Sequence, residues 1–217
     1  MKFETVVETL IDQFATGQLP DQKVHQLLAP YQRLSREEAL KSNPNPKLGA
    51  VLVLLYPNQH GLAHTVLMER NAYNGVHSKQ ISFPGGKCEP QDHSFEFTAL
   101  REAEEEVGLS IGEASIIGKL SDVYIPPSGF LVKPFVAVCK AQPHFVADIR
   151  EVKSILEAPL TLFTKENAVL TRSIPIKNPP VSINAPYFDV FGHVVWGATA
   201  MILGELRYLL NQTNHEM

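Results

Sequence analysis

A chain of 217 residues, 44% of them hydrophobic and 19% charged, has enough apolar material for one sizeable core and too much for a disordered polyelectrolyte. Its formal charge of −4 offers no basic field to a polyanion, which excludes nucleic acid as the default partner. The cysteines, Cys88 and Cys139, stand far apart and outside any CxxC pair, which argues against a zinc ribbon or a disulfide framework.

Glu4, Glu8 and Asp12 interrupt any apolar leader, and no later run is long enough to cross a bilayer, so the expectation is a cytoplasmic protein with no membrane contact. Phe3, Val6, Val7, Leu10, Ile11 and Phe14 recur at helical spacing, with Gly17 as a stop. A second short helix is expected from Pro20-Asp21 to Leu28, and Ser35 with Glu38 reads as a capping box before Ala39 and Leu40. Asn43-Pro44-Asn45-Pro46 breaks any helix, ending a helical N-terminal segment over 1–45 and leaving 46–217 as the main domain. The run LGAVLVLL, 48–55, predicts a buried strand, with a neighbour over Thr65 to Met68 joined through Asn58-Gln59-His60-Gly61. Residues 94–107 predict a helix with Ser94 as N-cap and Gly108 as its stop. Strands over 115–120 and 131–139 follow, then a short helix over 152–158, a proline-rich connection (Pro175, Pro179, Pro180, Pro186) and a closing apolar helix over 195–210, with Trp196 in the core. Central strands with helices between them and at both ends predict a mixed α/β or α+β sandwich.

The helix over 94–107 carries the chemistry. At about 100° per residue, Ala99, Leu100, Ala103 and Val107 share one side, while Glu102, Glu105 and Glu106 fall within an arc of roughly 100° on another. Glu104 points away from that arc. Carboxylates one turn apart repel by only a few tenths of a kcal/mol, so a solvated charge run is the bland explanation. The preceding turn favours a sharper one: Gly85 and Gly86 allow close backbone approach, and a glycine carbonyl can join the carboxylates as a hard oxygen ligand. Oxygen donors alone suit Mg²⁺ or Mn²⁺ and a phosphate-bearing substrate.

Gly85-Gly86 followed by Arg101-Glu102-Ala103-Glu104-Glu105-Glu106-Val107-Gly108-Leu109 resembles the Nudix box, the loop-helix-loop of hydrolases that act on nucleoside diphosphates linked to another moiety. Asp92 stands where the usual box has glutamate, and the spacing from it to Arg101 is one residue longer than usual. Both departures resemble the coenzyme A pyrophosphatase branch. So do His77-Ser78-Lys79-Gln80-Ile81-Ser82 before Phe83-Pro84, Pro127-Ser128-Gly129-Phe130-Leu131-Val132 with Pro134, and Trp196-Gly197-Ala198-Thr199-Ala200. Lys79 departs from that branch, which more often has glycine there.

The resemblance implies an α/β/α sandwich with a central mixed sheet and an added helical N-terminal segment. It implies a pyrophosphohydrolase in which Glu102, Glu105, Glu106 and the Gly86 carbonyl bind Mg²⁺ or Mn²⁺ and Arg101 orients a neighbouring carboxylate. A general base is expected among Glu105, Glu106 and Glu151, the last placed just before the short helix over 152–158. The substrate groove is expected to include Arg70, Gly85, Gly86, Ser128, Gly129 and Phe130, with Arg70, Lys79 and Lys133 as partners for a 3′-phosphate. Coenzyme A would yield 4′-phosphopantetheine and adenosine 3′,5′-bisphosphate. Other readings are a Nudix hydrolase of ADP-ribose or NADH, a non-catalytic nucleotide sensor on the same fold, and an interaction protein with an acidic helix. The oligomeric state stays open, a homodimer included.

Overall fold

The computed structural model describes residues 1–20, 22–30, 38, 41–71, 80–176 and 181–212; the expected cap at Ser35 and the loop residues His77, Ser78 and Lys79 lie outside them. Its axis is β1 (Lys47–Pro57). Alternate side chains of a strand face opposite ways, and here both ways lead into apolar packing. Leu52, Leu54 and Tyr56 join one buried cluster, while Val53 and Leu55 join the other. That is why the run 48–55 is unbroken rather than alternating.

Around β1 stand β2 (Ala63–Arg70), β3 (Ile81–Ser82), β4 (Gly85–Lys87), β5 (Ala114–Lys119), β6 (Val123–Ile125), β7 (Phe130–Cys139) and β8 (Val152–Pro159). Among the described residues they form one sheet in the order β3-β2-β1-β7-β5, with β4 on β1, β6 on β7 and β8 on β2. β1 runs parallel to β7 and antiparallel to β2 and β4, so the sheet is mixed, as expected. One face is covered by α3 (Phe95–Val107), which lays Ala99, Ala103 and Val107 on the sheet. The other is covered by α1 (Phe3–Ala15), α2 (Gln22–Leu28) and the closing helix α5 (Gly197–Asn211), with the short α4 (Thr161–Thr164) beside it. A second, three-stranded sheet follows: β9 (Val169–Ile176), β10 (Val181–Val190) and β11 (His193–Trp196).

Three expectations are corrected. Residues 152–158 are strand and not helix: Val152 and Leu156 are spaced like a helical pair, but β2 offers a free edge, and β8 takes it from Arg70↔Val152 to His64↔Pro159. Pairing with a waiting edge outweighs a weak local preference. Of the proline-rich stretch, Pro179 and Pro180 lie outside the described residues, and the parts on either side of them are paired antiparallel strands. Pro175 lies on β9, which pairs on one side only, and Pro186 lies on β10 just before β11 joins at Tyr187↔Trp196, so neither ring removes a shared ladder bond. Finally, Val195 belongs to β11, paired with Phe188, and the last helix opens at Gly197. Trp196 is consequently half-buried at that junction and not in the core.

The N-terminal helices are built into the main core. Phe3, Val6, Leu10 and Leu28 belong to the same cluster as α5, and Phe14 fills the space where a Cβ on Gly118 would sit. A buried polar tie adds direction: His25 Nε2 lies 2.8 Å from Glu205 Oε2, and Glu205 Oε1 accepts from the Ser121 N–H at 3.0 Å and hydroxyl at 2.8 Å. Removing one member of such a buried set leaves the others without partners, at about 3–5 kcal/mol. Glu205→Ala is therefore expected to lower the melting temperature by roughly 10 °C, measured by circular dichroism; a shift within a degree would show that this tie does not hold α2 in place.

Candidate active site

The helix that carries the acids is capped as its sequence requires. Ser94 Oγ accepts the Phe97 N–H at 3.1 Å, and Gly108 closes the helix in the left-handed region at φ 70°. Just ahead of it Asp92 accepts from the Glu89 N–H at 2.9 Å, the Thr98 hydroxyl at 2.8 Å, Arg101 Nε at 2.9 Å and Arg101 Nη2 at 3.0 Å. Its side chain is shut off from solvent. The Arg101 hydrogen bonds hold the Asp92 carboxyl well below the usual carboxylate range, and Asp92 in turn raises Arg101.

Anchored this way, Arg101 spreads its remaining donors over the next turn. Nη2 reaches Glu102 Oε1 at 3.0 Å and Nη1 reaches Glu105 Oε2 at 2.9 Å. Glu102 is 14% exposed and Glu105 is 59% exposed at the side chain. The first can act only inward, whereas the second opens to solvent.

Glu106, in the same arc of the helix as Glu102 and Glu105, is shut away from solvent. Its side chain is 3% exposed and is clasped on both oxygens: Arg70 Nη2 donates to Oε1 at 2.8 Å, and the Gly85 N–H donates to Oε2 at 2.7 Å. The same Arg70 nitrogen donates to the Gly85 carbonyl at 2.7 Å. Burial pushes the Glu106 carboxyl up to about 7 against the opposing pull of Arg70 and the Gly85 N–H. Burial also raises Glu102.

The glycine turn is shaped for this contact. Gly85 sits at φ 151°, and a Cβ there would lie 2.4 Å from the Ala50 carbonyl oxygen and 2.5 Å from Val51 Cα. A Cβ on Gly86 would lie 2.4 Å from the Glu102 carboxyl carbon. The turn therefore lies flat between β1 and the acids because it has no side chains.

The other expected residues fall as follows. Glu151 precedes a strand rather than a helix; its carbonyl accepts the Asn71 N–H at 2.8 Å, and its charge is near enough to help raise Glu106. Ser128 and Gly129 form the turn between β6 and β7, with both N–H groups on the Ile125 carbonyl. Phe130 opens β7 in register with Lys47, three positions before the row Gly86–Ala50–Lys133, which is about 10 Å along the strand. Lys133 is engaged with Asp122 at 2.9 Å and lies 4.9 Å from the Phe95 ring centroid. Arg70, expected to meet substrate, is committed to Glu106 and Gly85. Reading the sequence did not find that clasp, since nothing in a strand pattern ending in Arg70 names its partner. Nor did it single out Arg172 and His193, which with Trp196 line a pocket beside Glu69.

The donor set fits a hard cation: carboxylates from Glu102, Glu105 and Glu106 and a nearby glycine carbonyl, all oxygen, with two of the acids made costly by burial. Among the described residues no three acidic, histidine or cysteine side chains close around one point as they stand. Arg101 lies between Glu102 and Glu105, and Glu106 is folded onto Gly85.

Residues 46–166 match the NUDIX domain. Nudix hydrolase 15, mitochondrial, of Arabidopsis thaliana is 30% identical over 164 residues, covering 73% of this chain and 56% of that protein. A Yersinia pestis Nudix hydrolase, NudL, is 34% identical over 145 residues, covering 65% of this chain and 70% of that one. This chain spans about half the length of two plant relatives that it matches, 56% of one and 53% of the other. A MutT/nudix family protein from Enterococcus faecalis shares the fold, with TM-score 0.51 at 16% identity over 92% of this chain and 77% of that one.

A carboxyl held low in the folded state adds stability that is complete above its unfolded value and drains away as pH falls below about 4. Asp92→Asn is accordingly expected to melt several degrees below the parent at pH 7, with the gap narrowing below pH 4. Thermal melts across pH 3–8 check this; a gap that persists unchanged at pH 3 would show that the Asp92 charge is not what stabilises the turn.

Proposed function

The chain belongs to the Nudix hydrolase family, and on that premise we propose that it is a pyrophosphohydrolase of nucleoside diphosphate derivatives, with coenzyme A as the substrate. The observation that carries the reaction class is the seating of the glycine turn against α3 by the Arg70–Glu106–Gly85 clasp, with Glu102 lying directly on Gly86. The choice of coenzyme A is supported by the one-residue expansion of the box at Asp92 and by the segments 77–86, 127–134 and 196–200. The first of these leads directly into the glycine turn.

Glu102, Glu105, Glu106 and the Gly86 carbonyl would hold Mg²⁺ or Mn²⁺, which when bound neutralises phosphate oxygens and lowers the pKa of a water. Arg101, fixed by Asp92, positions Glu102 and Glu105. Arg70 positions Glu106. Hydrolysis adds the water oxygen to one phosphorus and breaks its bond to the bridging oxygen, which leaves with the second phosphate. The water's proton passes to a carboxylate among Glu105, Glu106 and Glu151. Ser128–Phe130 flank the same end of the sheet and would border the substrate groove. The catalytic unit is 46–217, with 1–45 as a helical addition. No helix among the described residues is long and apolar enough to cross a membrane; the cytoplasm is the proposed address.

Product analysis after incubation with Mg²⁺ or Mn²⁺ tests this reading. Coenzyme A is expected to give 4′-phosphopantetheine and adenosine 3′,5′-bisphosphate faster than ADP-ribose or NADH is cleaved. Glu105→Gln should lower turnover by about 100-fold or more, on the order of 3 kcal/mol of barrier. Faster cleavage of ADP-ribose or NADH would remove coenzyme A, and equal products from parent and variant would remove the box. A milder probe is Gly86→Ala. The atoms nearest its methyl group are the carboxyl end of the flexible Glu102 side chain, so the melting temperature should stay within a few degrees while turnover falls about 10-fold or more. Unchanged turnover would mean that the seat of Glu102 is irrelevant.

A further inference from the structure

A pocket of about 290 Å³ opens between the end of β2 and the three-stranded sheet. Its wall includes Glu69, Gln80, Ile174, Arg172, His193 and Trp196. Its volume lies near the lower end of small-ligand pockets, roughly 300–1,000 Å³, which suits one nucleoside and not a whole dinucleotide.

The wall combines an indole, a guanidinium, apolar side chains and several polar ones. Glu69 is already neutralised by Lys153 at 2.8 Å, with Ser154 Oγ at 3.3 Å. Arg172 has no ion pair among the described residues; its guanidinium carbon lies 6.0 Å from the Tyr187 ring centroid. Among the described residues, Arg172 is the charged side chain of the wall that has no ion-pair partner. A guanidinium takes a phosphate dianion through paired N–H donors, and an indole face takes a purine by stacking. A neutral amide chain would use neither.

The pocket's place supports the same ligand. Glu69 and Arg70 are consecutive on β2, about 3.8 Å apart at Cα, and consecutive strand side chains take opposite faces. The pocket and the clasped Glu106 thus lie back to back at one end of one strand. A nucleoside diphosphate laid over that strand end puts its phosphates on the acidic side and its nucleoside on the other. The two described lysine and arginine candidates for a further phosphate, Arg70 and Lys133, are committed to Glu106 and Asp122.

We propose that this pocket binds the 3′-phosphorylated adenosine end of the substrate, with Trp196 stacking on the base and Arg172 pairing with the 3′-phosphate. The choice of ligand rests on the pyrophosphatase reading above. Trp196 is the chain's single tryptophan, so its fluorescence reports occupancy without turnover. Adenosine 3′,5′-bisphosphate is expected to change that fluorescence saturably in the full chain, AMP to do so at least about 10-fold more weakly, and pantetheine not at all. In Arg172→Gln the two nucleotides should bind alike, and the ratio of KM for dephospho-coenzyme A to KM for coenzyme A should collapse toward one. An unchanged signal with the bisphosphate, a response to pantetheine, or a preference surviving in Arg172→Gln overturns the assignment even if coenzyme A is hydrolysed. If coenzyme A is not cleaved while the fluorescence behaves as expected, the reaction assignment fails and the pocket assignment stands.

Discussion

The site depends on a carboxylate that has been taken out of water. Glu106 has almost no exposure, and its two oxygens are answered by Arg70 and by the Gly85 N–H. A buried carboxylate left without such partners costs several kcal/mol, so the clasp couples three pieces of chain that are distant in sequence: the end of β2, the glycine turn and the last turn of α3. Each accommodates the others. β4 lies beside β1 only because Gly85 has no Cβ, and α3 rests on the sheet through Ala99 and Ala103. Once Gly85 is held, Gly86 is held too, and the carboxyl group of Glu102 lies on it with no room for a methyl between them. Asp92 performs a parallel service from outside by fixing Arg101.

Much of the architecture was legible where one physical signal dominated. The apolar run from Leu48 to Leu55 could only be a strand covered on both faces, and β1 has a core on each side. Ser94 and Gly108 marked both ends of α3 because caps act on immediate neighbours. Legibility failed where the deciding partner was remote. Nothing within 152–158 announces the open edge of β2, and the prolines near the C-terminus suggest a loop until it is known which strand positions lack a second neighbour. Trp196 was misplaced for the same reason: its burial depends on where β11 ends, which pairing with β10 decides.

The site shows the same division. Glu102, Glu105, Glu106 and Arg101 were visible through spacing on one helix, because helical geometry converts sequence separation into angle. Angle alone does not say what the helix packs against. Glu106 falls close to Glu102 and Glu105 on the helical wheel, yet the glycine turn covers it while Glu105 stays open to solvent. Arg70 was noticed as a cation and assigned to substrate; its distance to Glu106 follows from how β2 diverges from β1 to admit β4, a tertiary fact. Arg172 and His193 belong to a sheet that the proline count had hidden.

Charge balance connects the clasp to the chemistry. Within the cluster, the four carboxylates of Asp92, Glu102, Glu105 and Glu106 meet the two guanidiniums of Arg70 and Arg101. With every group ionised that leaves an excess of two negative charges, and burial of Glu106, with its carboxyl up at about 7, works against carrying all of it. Asp92 does not share in that deficit, since Arg101 takes it bidentately and its carboxyl is driven low, whereas burial drives Glu102 and Glu106 upward. Burial therefore disfavours the charged forms of the two inward acids beside the glycine turn, so each of them gains by acquiring a cation or a proton. A fold that wanted only a solvated acidic helix would leave those side chains in water. This one removes two of them from it and supplies less positive charge than they require.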